Sequence, residues 1–388
     1  MQVRRNQVQR TYNDFGQLEK SEQEHDGAVD VMTLAVNYAY ADGSDNTIRP
    51  TSMTYPDGRV LSLEYGTGTD DKLSRIKTLD WNGTDVSNYT YLGAGAIVQE
   101  SYPVPAVALD YTGSGNAYSG FDLFGRVVDQ RWAGSSGDVD RFTYGCDRNS
   151  NRTYRENEVA ASQTSPVHLD ELYGYDQINR LTSARRGQLN DQDRISDHKL
   201  SQEWELDATG NWKQFSSYDQ ATAGDVLVQH REHNAVNEIT DIGETVGDSW
   251  VAPAHDRNGN MTTIPKPDAP TSSFALIWDA WNRLVEVKDG ANTVGQYSYD
   301  GLGRRVRKYV PGTPNSYQDF YFNAGWQVLE TRQAFISPSL ATTQYQYVWS
   351  LRYIDAPVLR DDRASMPNDV LYYLGDANFN VTALVDTS

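Results

Sequence analysis

Along the chain, apolar and aromatic positions alternate with polar ones in runs of strand length. Phe274, Leu276 and Trp278 are placed to share one face of a strand, and Val285 and Val287 one face of a returning strand. Tyr345, Tyr347 and Trp349 repeat the pattern, with Gln344 and Gln346 opposite. No segment carries a helical stripe over about 12 residues or more, and no run of about 18 apolar residues offers a membrane-spanning helix. The pattern predicts an all-β chain.

Between these runs one unit recurs: an aromatic residue, Asp or Asn, two variable residues, Gly or Asn, a polar residue, then an apolar one. It appears from Tyr12 to Leu18, Phe121 to Val127, Tyr175 to Leu181, Leu206 to Trp212, His255 to Met261 and Trp278 to Leu284, and most clearly from Tyr299 to Val306. Weaker copies run from Cys146 to Arg152 and from His233 to Ile239. The acidic or amide position falls at 122, 147, 176, 207, 234, 256, 279 and 300, so successive copies are 21 to 31 residues apart. Such a series marks a repeat architecture. Asp or Asn at a turn entry bonds backbone amides two residues on. Gly or Asn three positions later accepts positive φ cheaply. Each unit therefore predicts a strand, a tight turn and a returning strand. Arg or Asn after the turn glycine is placed on the strand surface, able to pair with the Asp of the adjacent unit.

The array is expected to cover residues 1–388 as a single domain, with an irregular part at 1–120, regular repeats at 121–310 and a strand-rich part of different character at 311–388. A shorter variant turn lies at Tyr55 to Arg59, a Gly/Ser-rich loop at Tyr111 to Gly120, and a proline-bounded loop at Pro265 to Pro270. None of these demands a domain boundary, so one continuous sheet is expected. Roughly 26 strands spaced about 4.8 Å apart would make a ribbon about 125 Å long, enough for about one turn of a shell. Its first and last strands would be open edges, suited to pairing with more chain or with another copy.

The 388 residues hold 25 Tyr against 10 Phe and 9 Trp. Many tyrosines need places where the ring is covered and the hydroxyl finds water or a partner, which a thin sheet provides. Net charge is -19, with acidic residues spread throughout, which disfavours nucleic acid or anionic lipid as a partner. The lone Cys146 leaves no internal disulfide and no cysteine-based metal site. Met1 to Arg10 does not have the form of a signal peptide, which points to a cytoplasmic chain or to one subdivided from a longer exported polypeptide.

The units resemble the YD repeats of bacterial Rhs proteins, Tc toxin B/C components and teneurins, over almost the whole chain. Two stretches are similar to the bacterial Rhs core: Tyr347 to Arg360, and Asp376 to Asp386, where Phe379-Asn380 replaces the more usual Gly-Ser. The resemblance implies a curved, spiralling β-sheet shell, a partial cocoon, that encloses or displays a C-terminal toxin in a secreted or cell-surface protein. These residues hold no aspartyl self-cleavage motif and no cargo, so the remainder of a longer Rhs polypeptide or its toxin cargo is the expected partner. The alternative is an adhesion or carbohydrate-binding surface that stacks sugars on its aromatic strand faces.

Other chemistry is weakly signalled. His230-Arg231-Glu232-His233 lacks the spacing of a helical metal pair. Asp256 to Asn260 resembles half a calcium loop without its sixth-position Gly or twelfth-position Glu. Asp42 to Asn46 and Asp70-Asp71 read as acidic turns. No two carboxylates stand out as an acid/base pair. No catalytic, cofactor-binding or metal residue is assigned, and the chain is expected not to be an enzyme.

Overall fold

The computed structural model describes residues 6–41, 48–112, 120–190, 193–365 and 369–387. The acidic stretch Asp42 to Asn46 and residues 113–119 of the Gly/Ser-rich loop lie outside the described residues. Within them the chain forms 30 strands. α-Helix is confined to two short turns, Thr69–Lys72 and Glu158–Ala161. No helix among the described residues is long and apolar enough to cross a membrane.

The strands make two antiparallel sheets, one of 18 strands between Gln7–Tyr12 and Ile239–Val246, the other of 12 strands between Ala254–His255 and Val381–Val385. In the second sheet, order in space is order in sequence. The all-β hairpin array is therefore present, but the single continuous sheet is not: pairing stops at residues 247–253. Gly247 turns the chain with φ of 94°, and Pro253 lacks the N–H that a ladder would use. Trp250 donates its backbone N–H to the Glu244 side chain instead.

One further expectation is corrected. The Pro265 to Pro270 loop contracts to a tight turn between strands Met261–Lys266 and Ala269–Trp278, with the prolines inside the strand ends. Within the part at 1–120, strands Ile76–Trp81, Asp85–Leu92, Ala96–Tyr102 and Val107–Asp110 form an antiparallel meander.

The chain divides into two compact units, one made of Met1–Gly125, Gln130–Asp140 and Tyr297–Ser388, the other of Arg126–Asp129 and Arg141–Gln296. The first has a layered interior, with Leu79, Leu109, Leu329, Leu359 and Leu374 fully buried. Each such leucine contributes about 1.5–3 kcal/mol by leaving water. In the second unit Phe142, Tyr144, Phe215 and Ile242 are the buried apolar side chains among the described residues. The alternation along its strands still holds: Phe274, Leu276 and Trp278 are half-buried while Ala275 and Ile277 are exposed. In strand Thr342–Trp349 of the first unit, by contrast, Gln346 and Val348 face inward and the aromatics lie on the partly exposed face.

Candidate functional site

The repeat's chemistry is concentrated at its corners. In the corner Asp207–Asn211, the Asp207 N–H donates to the Asn211 carbonyl and the Gly210 N–H to the Asp207 carbonyl. The Asp207 Oδ1 accepts backbone N–H groups of Thr209 and Asn211 at 2.8 and 2.9 Å, and Oδ2 accepts Asn211 Nδ2 at 2.9 Å. Corners Asp147–Asn151 and Asp256–Asn260 repeat this arrangement. In Asp176–Arg180 a guanidinium takes the amide's place, with Arg180 Nε 2.6 Å from Asp176 Oδ2. The fourth residue always has positive φ, supplied by glycine at Gly210 and Gly259, and by asparagine at Asn179, Asn237 and Asn282. Strand register shifts at the Asp176 and Asp279 corners, pairing Tyr175 with Leu181 and Trp278 with Leu284, the extra residue of a β-bulge.

Several corners also bind their neighbours. The aromatic residue before the Asp reaches backward: Tyr175 OH donates to the Arg152 carbonyl at 2.8 Å, and Trp278 Nε1 to that of Met261 at 2.7 Å. The last corner residue reaches forward, in one of two ways. Asn151, Asn211 and Asn260 donate to the side-chain oxygens of Asn179, Asn237 and Asn282 in the next corner, at 2.8, 2.9 and 2.9 Å. Arg180 donates to the Asp207 backbone carbonyl at 2.6 Å. The Arg and Asn positions thus hold the Asp of their own corner, and reach the next through its amide or backbone rather than its carboxylate. The amide of Asn151, Asn211 or Asn260 is the first cause that holds Asp147, Asp207 or Asp256 below the ordinary carboxylate range, aided by the backbone donors.

Some corners invert the pair. Asn13 and Asn323 donate Nδ2 to Gln17 and Gln327, both at 2.7 Å, and Asn234 donates to Glu238 Oε2 at 2.6 Å. The Asn323 corner escapes the sequence pattern because Trp326, not glycine, takes the positive φ of 71°. Its Asn/Gln pairing, shared with Asn13/Gln17, is the signal that could have revealed it. The Tyr55–Arg59 turn has the same backbone bonds as the others, so only its side-chain pattern is short.

In the first unit, the core-like stretch Tyr347 to Arg360 supplies Ser350 and Arg352 to a buried polar knot. Glu100, fully buried, accepts Ser350 Oγ at 2.7 Å, Ser87 Oγ at 3.2 Å and Arg352 Nη1 at 3.4 Å. Arg352 also donates to Tyr111 OH at 2.9 Å, and that hydroxyl donates to Gln130 at 3.1 Å. Burial pulls the Arg352 pKa down, but the facing Tyr111 and Glu100 outweigh it and raise the group overall. Burial, then the charge of Glu100, pushes Tyr89 and Tyr102 well up. Other buried side chains complete backbone bonds on the opposing layer. Gln23 both donates to the Phe322 carbonyl at 2.8 Å and accepts its N–H at 3.0 Å. Tyr55 OH donates to the Tyr347 carbonyl at 2.7 Å, and Trp132 Nε1 to that of Gly375 at 3.0 Å.

The residues singled out for other chemistry resolve as follows. Asp256 to Asn260 is a repeat corner. Asp70 and Asp71 are paired with Arg75 and Arg49 at 2.8 and 2.6 Å. Arg231 and His233 lie on one strand face with buried Gln229, whereas His230 and Glu232 are exposed on the other. Among the described residues, no group of three or more His, Cys, Asp or Glu is placed to hold a metal.

Comparison with known proteins agrees with this geometry. Residues 278–313, which include the Asp279 and Asp300 corners, match the RHS Repeat family. No curated protein matches the chain by sequence. In three dimensions the chain is similar to the TcdB2–TccC3 complex, with TM-score 0.70 and 15% identity over 97% of this chain and 20% of that one. It is also similar to the Photorhabdus luminescens Tc holotoxin pore carrying a TccC3 mutation, with TM-score 0.65 and 15% identity over 96% and 18%. The TcdB2–TccC3–Cdc42 structure matches at TM-score 0.67 and 16% identity over 97% and 19%. The chain thus spans about a fifth of the length of the solved chains it matches. At such identities the likeness is one of fold.

Proposed function

We propose that this chain, a protein of the Rhs/YD-repeat family, is a non-catalytic wall segment of a larger shell that encloses or displays a toxin cargo outside the cell. The observation that carries this reading is the serial linkage of hairpins: Asn151, Arg180, Asn211 and Asn260 each tie their corner to the next, and Tyr175 and Trp278 tie theirs to the hairpin before, so the array extends by adding units. The fold match over nearly the whole chain to part of a Tc toxin assembly supports the same reading. The partner is the rest of a longer polypeptide or a separate toxin component, and the chain's own role is containment. In this reading the buried Glu100–Arg352 knot fixes one layer on another and performs no chemistry.

The test is co-expression of the chain with the remainder of its reading frame and neighbouring reading frames, followed by limited trypsin digestion. A polypeptide that is digested alone and survives in the complex is the enclosed cargo. Equal digestion of every co-purifying polypeptide with and without the chain would refute containment.

A further inference from the structure

The ladder of corners in the second unit breaks at one place, and the sequence explains why. In the corner Asn234–Glu238 the last residue is a carboxylate, held by its own Asn234, and a carboxylate has no N–H to donate to the following corner. A cleft of about 750 Å³ opens there, a size suited to a small ligand. Trp212, Arg231, His233, Glu238, His255 and Arg257 supply its polar and aromatic lining.

Arg231 is the unusual group. Its guanidinium lies 4.7 Å over the Trp212 ring and donates Nη2 to Gln229 at 2.9 Å. Its Nε is buried and has no hydrogen-bond partner. Arg180 and Arg283 of this unit sit against Asp176 and Asp279, whereas Arg152, over the Tyr144 ring, shares the unpartnered Nε of Arg231 but does not line the cleft. No carboxylate among the described residues forms an ion pair with Arg231, and burial lowers its pKa. A desolvated cation without a counter-charge is costly, and an anion seated in the cleft would remove that cost through charge-assisted hydrogen bonds. Exposed Arg257 at the rim adds a second cation, and the rings of His233 and His255 add N–H donors.

We propose that this cleft binds a small oxyanion, phosphate or carboxylate, on Arg231, with Arg257, His233 and His255 around it and Glu238 as the opposing charge that limits affinity. The probes are inorganic phosphate and citrate, titrated separately into the full chain by calorimetry at fixed ionic strength. Saturable binding of phosphate alone identifies a phosphate site, and of citrate alone a carboxylate site. Arg231→Gln is expected to weaken the bound probe by about tenfold or more. Glu238→Ala removes the opposing carboxylate without adding an N–H that could close the cleft, and is expected to tighten binding several-fold. If Arg231→Gln fails to fold, Arg257→Gln on the exposed rim takes its place, with weaker binding expected. Absence of saturable binding for both probes, or unchanged affinity in the folded variants, would overturn the site.

Discussion

The two compact units answer the same question, how to hold successive hairpins together, with different chemistry. The first buries leucines, tyrosines and Trp132 between layers, and joins the layers through Gln23, Tyr55, Gln130 and the Glu100–Arg352 knot. The second buries few side chains and relies on its corners, where half-buried Asn groups bond exposed Asn groups of the next corner. Stability in the first is concentrated in a few long-range contacts. In the second it is spread thinly along the chain, as in a one-dimensional repeat.

The largest contrast should come from removing one charge. Glu100→Gln leaves Arg352 buried beside a neutral amide and should cost about 3–5 kcal/mol, measured as a fall in the urea midpoint of the full chain. Glu205→Gln removes an exposed pair with Lys213 in the second unit and should leave that midpoint in place. Equal responses would erase the distinction between the units.

A smaller effect is expected at the backward link. Tyr175→Phe deletes the bond to the Arg152 carbonyl and should cost about 1 kcal/mol. Peptide-resolved hydrogen exchange should show the loss around residues 152 and 175. A uniform rise across the chain would contradict a local bond.

Corner strain sharpens the comparison further. Ser150 sits at φ of 70°, so Ser150→Gly should stabilise by about 0.5–1 kcal/mol. Phe379 has φ of 63° in the first unit, but its ring stacks on Tyr353 at 4.5 Å and lies under Arg352. Phe379→Gly should therefore destabilise, and thermal melts of the two variants should move in opposite directions.

The smallest effect at neutral pH, and one that grows with acid, concerns titration. Asp147, Asp207 and Asp256 have folded pKa values below their ordinary 3.8. Their contribution is complete above that value and is lost as pH falls through the lower folded values. Glu330, buried in the first unit, is shifted up by that burial, so its ionisation opposes folding as pH rises above its ordinary 4.5 and protonation relieves it. Between pH 6 and pH 3, exchange should quicken at the second unit's corners more than around Glu330. The reverse order would contradict the assignment.

Much of this was legible in the sequence, wherever local chemistry decides the conformation. The corners at Asp207, Asp256 and Asp279 follow from an acid at the entry and Gly or Asn at the positive-φ position. The Asn323 corner was hidden because a tryptophan occupies that position. The Glu100–Arg352 pair was illegible because 252 residues separate its members and nothing local marks either one. The face of Thr342–Trp349 that turns inward was not readable from alternation alone, since a glutamine is buried there against Glu330 at 2.8 Å. In the sequence Arg231 stands out only as part of His230-Arg231-Glu232-His233, which lacks metal-pair spacing. What sets it apart is a missing counter-charge at the wall of a cleft, and that is visible only once the strands are paired.

The forward link between corners is the central claim, and Asn211→Ala tests it most directly by hydrogen exchange. Asn211 donates to Asn237, 26 residues away. The account predicts faster exchange at both the Asp207–Asn211 corner and the Asn234–Glu238 corner, with corners beyond them unchanged. Faster exchange confined to residues 207–211 would show that the corners stand independently and that the hairpins are not joined in series through them.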